Sequence, residues 1–274
     1  MKIALLFLLM ISTAHAFTLN NNFGATFKSS KVKVFVANDT NCQQGMTVYE
    51  LQEMVKEAVN NFWNEVPTSS LRLEPSGFYG NFAGIDINNA ILCSPTDLNC
   101  INVTASGNDL IPPVNEIVIA CNRNDKNFNG SAAVLAVAVP NNFSGKKIKG
   151  AVILLNDFSN SFVRLSHSDR VSVIAHEIGH AIGLGHALNN NPEALMYFKT
   201  VNLRRNLAQD DVDGVTYLYP KQIDACGLFG GIGGTINTGD KGPPYWQMLM
   251  MMALMMLISE GFRLWKKSRV RVKP

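Results

Sequence analysis

The sequence predicts an α+β fold in which one small β-sheet packs with three helices. Two observations predict it. Short β-rich runs of apolar residues recur along the chain, and three longer segments have helical spacing of apolar residues or a sequence signal for a helix start. The elements follow one another in the order strand, helix, strands, helix, helix.

The first strand and the first helix have the clearest local signals. Lys31 to Ala37 alternates polar and β-branched residues, which is typical of a half-buried strand. Thr47-Val48-Tyr49-Glu50 is a capping box that opens a helix, and Pro67 ends it. The apolar residues on its predicted buried face are Leu51, Met54, Val55, Ala58, Val59, Phe62 and Trp63. Residues 68–114, rich in Asn, Ser, Gly and Pro, are expected to be irregular with little strand.

Three buried strands and two helices are predicted after this region. The strands are the short apolar runs Ile117 to Ala120, Ala133 to Val139 and Ala151 to Leu155. A second helix begins near Asp169, and the last one covers Gln209 to Tyr219. We find no internal repeat in the sequence.

The N-terminal residues 1–16 have the composition of a secretory signal peptide. Lys2 precedes an apolar run from Ile3 to Ile11, and Ala14-His15-Ala16 is a small-x-small cleavage site. The mature chain is therefore expected to begin at Phe17. A buried core helix is the alternative interpretation.

The C-terminal residues predict a membrane anchor. Residues 223–244 are rich in Gly and Thr and read as a flexible linker. Residues 245–265 form a candidate transmembrane segment, since Trp246 to Trp265 would span roughly 28 Å as a helix, close to a bilayer's hydrocarbon thickness. Residues 266–274 are a basic tail that would stay cytoplasmic. A buried amphipathic helix and a sorting signal that is cleaved after anchoring remain open.

The formal net charge of +3 is modest, and basic residues of the C-terminal tail supply much of the excess. The charge distribution therefore gives no support to nucleic-acid binding.

Five cysteines follow the predicted cleavage site, and export makes disulfides plausible. Cys93 and Cys100 are close enough to close a small loop, which would leave Cys42 and Cys121 as the other pair and Cys226 unpaired. Connectivity cannot be read from sequence, so this pairing is one arrangement among several.

The candidate metal centre is the stretch from residue 176 to residue 186, which reads H-E-x-x-H-x-x-G-x-x-H. His176 and His180 are four residues apart, so a helix places both imidazoles on one face. Gly183 lets the chain leave the helix, so that His186 can supply a third nitrogen. Glu177 can reach a metal-bound water without being a ligand. Three protein ligands leave a fourth zinc position open, which is typical of a catalytic site.

The motif and the sequence after it resemble the matrixins, a family of metzincin zinc metalloproteases. Pro192 to Tyr197 resembles the matrixin Met-turn, with Met196 as its methionine. Gln209 to Val215 resembles the start of the matrixin C-terminal helix, which Leu218-Tyr219-Pro220 closes. Glu57 to Trp63 fits the first matrixin helix more loosely. The resemblance covers about residues 30–220 and implies a matrixin catalytic domain over residues 17–222, with a twisted, mostly parallel small sheet and three helices.

The function that this resemblance implies is a secreted or surface-anchored zinc-dependent endopeptidase. One catalytic zinc would be held by His176, His180 and His186, with Glu177 as the general base for an attacking water. Met196 would form an apolar floor beneath the ligands. Protein or peptide substrates would be its partners, with the membrane contacted through the C-terminal segment. An inactive zinc-binding module and an anchored interaction protein that kept the fold are the alternatives.

Several positions depart from the matrixin pattern. Gly185 precedes the third histidine where many matrixins have an aspartate. Neither Ala133 to Val139 nor Gly150 to Asp157 contains a histidine, so a second, structural zinc is not expected. Asp157 leaves a calcium site open. Cys42 lacks the sequence context of a cysteine switch, so latency through a cysteine on zinc is not expected.

Overall fold

The computed structural model describes residues 17–20, 24–43, 45–80, 86–92, 100–101, 115–140, 146–188, 191–199 and 206–221. The chain divides between Ile223 and Asp224, and all described residues lie before that boundary. The predicted signal peptide, linker, apolar C-terminal segment and basic tail lie outside the described residues. Within the described ranges, no helix is long and apolar enough to cross a membrane.

Within the described residues, the main sheet has five strands: β2 (Lys31–Ala37), β3 (Arg72–Tyr79), β6 (Glu116–Asn122), β7 (Ala136–Pro140) and β9 (Gly150–Asn156). Their order across the sheet is β3-β2-β6-β9-β7. Three of the four pairings are parallel, and β7 alone runs antiparallel, against β9. The expectation of a small, mostly parallel sheet is therefore confirmed. In this strand order, β7 lies at one edge of the sheet and β3 at the other.

Four short strands form two additional parallel pairs. The first pair is β1 (Thr26–Phe27) with β8 (Lys147–Ile148), and the second is β4 (Ile91–Leu92) with β5 (Cys100–Ile101). Each of these strands has two residues. They tie loops together rather than extend the main sheet.

The three predicted helices are α1 (Val48–Asn60), α2 (His167–Ala181) and α3 (Gln209–Leu218). Short 3₁₀ turns cover Trp63–Glu65 and Asp125–Phe128. The capping box at the start of α1 is confirmed: the Thr47 hydroxyl accepts from the Glu50 amide at 3.1 Å, and the Glu50 carboxylate accepts from the Thr47 amide at 2.7 Å. The hydroxyl of Ser166 caps α2 by accepting from the Asp169 amide at 3.2 Å.

The prediction of little strand within residues 68–114 is wrong for Arg72–Tyr79, which forms an eight-residue strand. Its turn-forming residues are tolerated because β3 is an edge strand. Pro75 lacks the N–H that a central strand needs, and an edge strand leaves half its backbone groups unpaired. Gly77 has a φ of +83° at the point where the register with β2 shifts, which is the geometry of a β-bulge.

The central strands β6 and β9 bury both of their faces. Ile117 and Ile119 of β6 point into the larger core beneath α1 and α2. Val118 and Ala120 point to the opposite face, into a smaller cluster around Phe128. This two-sided burial explains why the strands read as continuous apolar runs rather than as alternating patterns.

A disulfide joins Cys42 to Cys121, with Cα atoms 5.4 Å apart. This pair is the one expected if Cys93 bonds to Cys100, although Cys93 and Cys226 lie outside the described residues. The bridge ties the loop after β2 to the end of β6. It therefore fixes the loop at the carboxyl end of the central strands.

Candidate metal centre

Two histidines of the motif lie one turn apart on α2, with ring centroids 4.7 Å apart. His176 Nδ1 lies 2.7 Å from the carbonyl oxygen of Leu195, and His180 Nδ1 lies 2.9 Å from that of Leu184. A carbonyl oxygen only accepts hydrogen bonds, so each Nδ1 carries the hydrogen. Each Nε2 is then left with a lone pair for a metal ion.

The third histidine returns to the other two because the chain turns sharply at Gly183. This residue has a φ of +113°, and a Cβ there would overlap the carbonyl oxygen of Ala25. No other residue type fits both conditions without strain. The turn brings His186 Nε2 to 3.1 Å from His180 Nε2. One donor nitrogen from each of the three histidines lies within 4.8 Å of the others.

The electrostatics of the cluster suit a metal ion. Burial lowers the pKa of His180 to about 4, against a smaller opposing effect of its hydrogen bond to Leu184. Burial also lowers the pKa of His186. Both imidazoles are therefore neutral at pH 7, the form that binds metals. Their Nε2 atoms lie 3.1 Å apart, a separation that allows both to bind one metal ion.

Glu177 follows His176 on α2, and its side chain lines one cleft together with the three histidines. Only 6% of its surface is exposed, and burial raises the pKa of its carboxyl group to about 8. The carboxyl group is shielded from water, and none of the ion pairs among the described residues involves it. Perturbed acids of this kind are typical of functional sites.

The sulfur of Met196 packs against the helix between the two histidines. It does so because position 179 is a glycine: a Cβ there would overlap the Met196 Sδ and approach Trp63 Cζ2 to 2.8 Å. Met196 itself is 2% exposed. The sequence predicted the methionine but missed Gly179, whose only signal was its place between two candidate ligands.

The Asp211 carboxylate anchors the segment that carries this methionine. It accepts hydrogen bonds from the amides of Leu195 at 2.7 Å, Met196 at 3.0 Å and Ala208 at 2.8 Å. Burial raises the pKa of Asp211, while these three amides act to lower it. The Leu195 carbonyl orients His176, so the Asp211 carboxylate positions this candidate ligand through Leu195.

Acidic residues at the start of a helix complement its dipole. Asp211 does more than this, because two of its three partners lie 15 and 16 residues away along the chain. Its neighbour Asp210 is also buried. Asp213 fits a local role, accepting from the Gln209 amide group within the helix at 2.7 Å.

Residues 18–20 pair with the loop that carries the third histidine. The Gly185 amide donates to the Thr18 carbonyl at 2.9 Å, and the Thr18 hydroxyl donates to the His186 carbonyl. A Cβ at position 185 would lie 2.6 Å from Thr18 Oγ1 and 2.8 Å from the Leu19 oxygen. This close approach explains why a glycine stands before the third histidine.

The histidines lie on the floor of a cleft with a volume of about 480 Å³. One wall is formed by β7 and the turn before it, and the other by Tyr197 to Lys199. β7 is an edge strand, so the side away from β9 has no strand partner within the described residues. The cleft therefore combines a candidate metal site with the free edge of a sheet.

No second cluster of three or more metal-binding side chains is present in the described part of the chain. The carboxylate of Asp157, left open as a calcium ligand, is instead engaged by protein groups. It accepts from the Gln43 amide at 3.0 Å and from the Arg123 guanidinium at 3.1 Å. Its role is to hold the loop next to the disulfide.

The sequence model of the matrixin family matches residues 118–220. This span runs from β6 through the three histidines to the end of α3. Residues 118–220 are therefore similar in sequence to the matrixins. The looser resemblance of Glu57 to Trp63 lies outside the matched span.

Two relatives match shorter stretches of the chain. The chain is 47% identical to stromelysin-2 of Rattus norvegicus over 51 residues, which is 17% of this chain and 10% of that protein. It is 49% identical to metalloendoproteinase 1 of Glycine max over 53 residues, which is 19% of this chain and 17% of that protein. The matched stretches thus span less than a fifth of either relative.

Replacing Asp211 by asparagine should lower the free energy of unfolding by about 1–3 kcal/mol, because an amide leaves buried N–H donors without acceptors. Urea unfolding followed by tryptophan fluorescence measures the change. Asp213→Asn is the matched control, with an expected change within about 0.5 kcal/mol. Equal effects of the two substitutions would contradict the anchoring role of Asp211.

Proposed function

We propose that the chain is a zinc-dependent endopeptidase whose metal is held by His176, His180 and His186. The observation that carries the proposal is the convergence of three histidine nitrogens on the floor of a cleft, next to a buried carboxylate. Three nitrogen ligands suit zinc and leave a coordination position open. The matrixin match over residues 118–220 supports the same reaction.

Zinc bound by these nitrogens would lower the pKa of a water molecule and polarise a substrate carbonyl. The chain's contribution is to orient the ligands. Leu195 and Leu184 hold the rings through their carbonyl oxygens. We propose that Met196 packs beneath the rings as an apolar floor, which keeps them from turning away.

Glu177 is proposed as the general base and then the general acid. A nearby cation favours its charged form, which offsets the effect of burial on its pKa. The carboxylate then accepts a proton from the attacking water and delivers it to the amine that leaves. Its burial beside the first ligand keeps it within reach of the reacting atoms without making it a ligand.

The substrate is proposed to be an extended protein or peptide chain lying along β7. The free edge of this strand can pair with a peptide backbone, which is a general mode of peptide recognition. Its backbone groups would hold the substrate in register while the scissile bond lies over the histidines. Tyr197 and Phe198 form the opposite wall and would contact side chains near the cleaved bond.

Replacing Glu177 by glutamine should lower turnover about 10²–10⁴-fold while zinc is retained, because general base catalysis contributes a factor of this size. Hydrolysis of a quenched peptide library by the full chain, with and without a chelator, measures activity, and metal analysis measures zinc. Glu193→Gln, an exposed acid outside the cleft, is the control.

Loss of zinc together with activity would give Glu177 a structural role instead. Retained activity would reject the proposed mechanism. A wild-type chain that binds zinc but cleaves no peptide in the library would favour an inactive metal-binding module.

We further propose that the protein is exported and anchored, with residues 1–16 as a signal peptide and residues 17–222 as the catalytic domain. Residues 223–244 would be a linker, 245–265 a membrane span and 266–274 a cytoplasmic tail. The support is the sequence pattern alone, chiefly the apolar run of Met248 to Ile258 with basic residues after it.

Full-length protein should fractionate with membranes and resist a high-salt wash, whereas a chain ending at Asp240 should be released. High salt would strip a protein held only by its basic tail, since screening weakens that attraction. If both chains were equally soluble outside the cell, residues 245–265 would not be a stable anchor.

A further inference from the structure

We propose that Lys199 gives this protease a preference for an acidic substrate side chain within about three residues of the scissile bond. The proposal rests on the proposed function and adds a substrate class to it. Among the described residues that line the cleft, Lys199 is the cation at its rim, and it lies opposite an uncharged wall. A carboxylate on a bound peptide would meet that cation.

Few of the described side chains that line the cleft carry a charge. Among the described lining residues other than the histidines, only Glu177 and Lys199 belong to residue types that ordinarily carry a charge near pH 7. Glu177 is buried in the floor, whereas Lys199 is exposed at the rim. The wall formed by residues 133–138 contains only alanine, valine and leucine, and Asn129 beside it is neutral.

The ammonium group of Lys199 is placed by its neighbour. Its Nζ lies 5.3 Å from the centroid of the Phe198 ring, a distance at which a cation is attracted to the ring. That ring lies 6.0 Å from the ring of His186 and is half exposed. Together the two separations correspond to about three residues of an extended peptide. The cation is therefore within reach of side chains that flank the cleaved bond.

The ammonium is also available to a substrate. None of the ion pairs found among the described residues involves Lys199. Its contact with the Phe198 ring leaves other faces of the ammonium open to water or to a carboxylate. An acidic substrate side chain could bind there without displacing a protein carboxylate.

The expected preference is modest, because exposed ion pairs contribute little. Their usual strength corresponds to about a 2–5-fold gain in kcat/KM for an acidic over a neutral side chain. The gain should appear in KM rather than kcat, since the contact forms equally in the bound substrate and in the transition state. It should shrink in about 1 M salt, where the screening length is near 3 Å.

Quenched peptides carrying Glu, Gln or Lys at each of three positions on both sides of the cleaved bond provide the test. The zinc-loaded full chain is compared with Lys199→Gln and Lys199→Glu. Each kcat/KM is divided by the value for the matching Gln peptide, so a general loss of activity cancels. Lys147→Glu makes the same change of charge on an exposed strand residue that does not line the cleft.

The wild-type chain and Lys147→Glu should both prefer Glu at one or more positions. Lys199→Gln should abolish that preference, and Lys199→Glu should reverse it in favour of Lys. Equal rates for all three side chains at every position would overturn the proposal, as would a preference unchanged in both Lys199 variants. If no peptide is cleaved at all, the proposed function itself fails and the preference with it.

Discussion

The close approach of Gly183 to the carbonyl of Ala25 is the constraint on which the rest of the candidate centre depends. A helix alone can present only two of the three histidines on one face, because its rise carries the next turn away from them. The positive φ of Gly183 ends α2 and sends the chain back, so that His186 faces His180. The loop is then held by pairing with residues 18–20.

The ligand rings are oriented by backbone groups from two different segments. His180 uses the carbonyl of Leu184, in the turn that follows its own helix. His176 uses the carbonyl of Leu195, in a segment that the carboxylate of Asp211 pins from α3. The last helix therefore supports the metal centre although it contributes no candidate ligand. This arrangement makes ligand orientation depend on the packing of the whole C-terminal half of the domain.

Local signals in the sequence predicted much of this architecture. The capping box of α1, the three apolar strands and the spacing of the histidines all act over a few residues, so the sequence alone was informative. The strand Arg72–Tyr79 was missed because its Pro and Gly are read as turn signals until its edge position is known. The hydrogen bonds to Asp211 and the packing of Met196 against Gly179 were missed, because each depends on contacts between segments that are distant in sequence.

The central claim is that three histidines converge on a single metal ion, and zinc titration of the full-length chain tests it most directly. Metal analysis after dialysis should give about one zinc per chain, as expected for a single three-ligand site. His186→Ala should bind zinc far more weakly, while His167→Ala, which changes an exposed histidine paired with Glu57, should bind like the wild type. No bound zinc, two tightly bound zinc ions, or wild-type affinity in His186→Ala would contradict the claim.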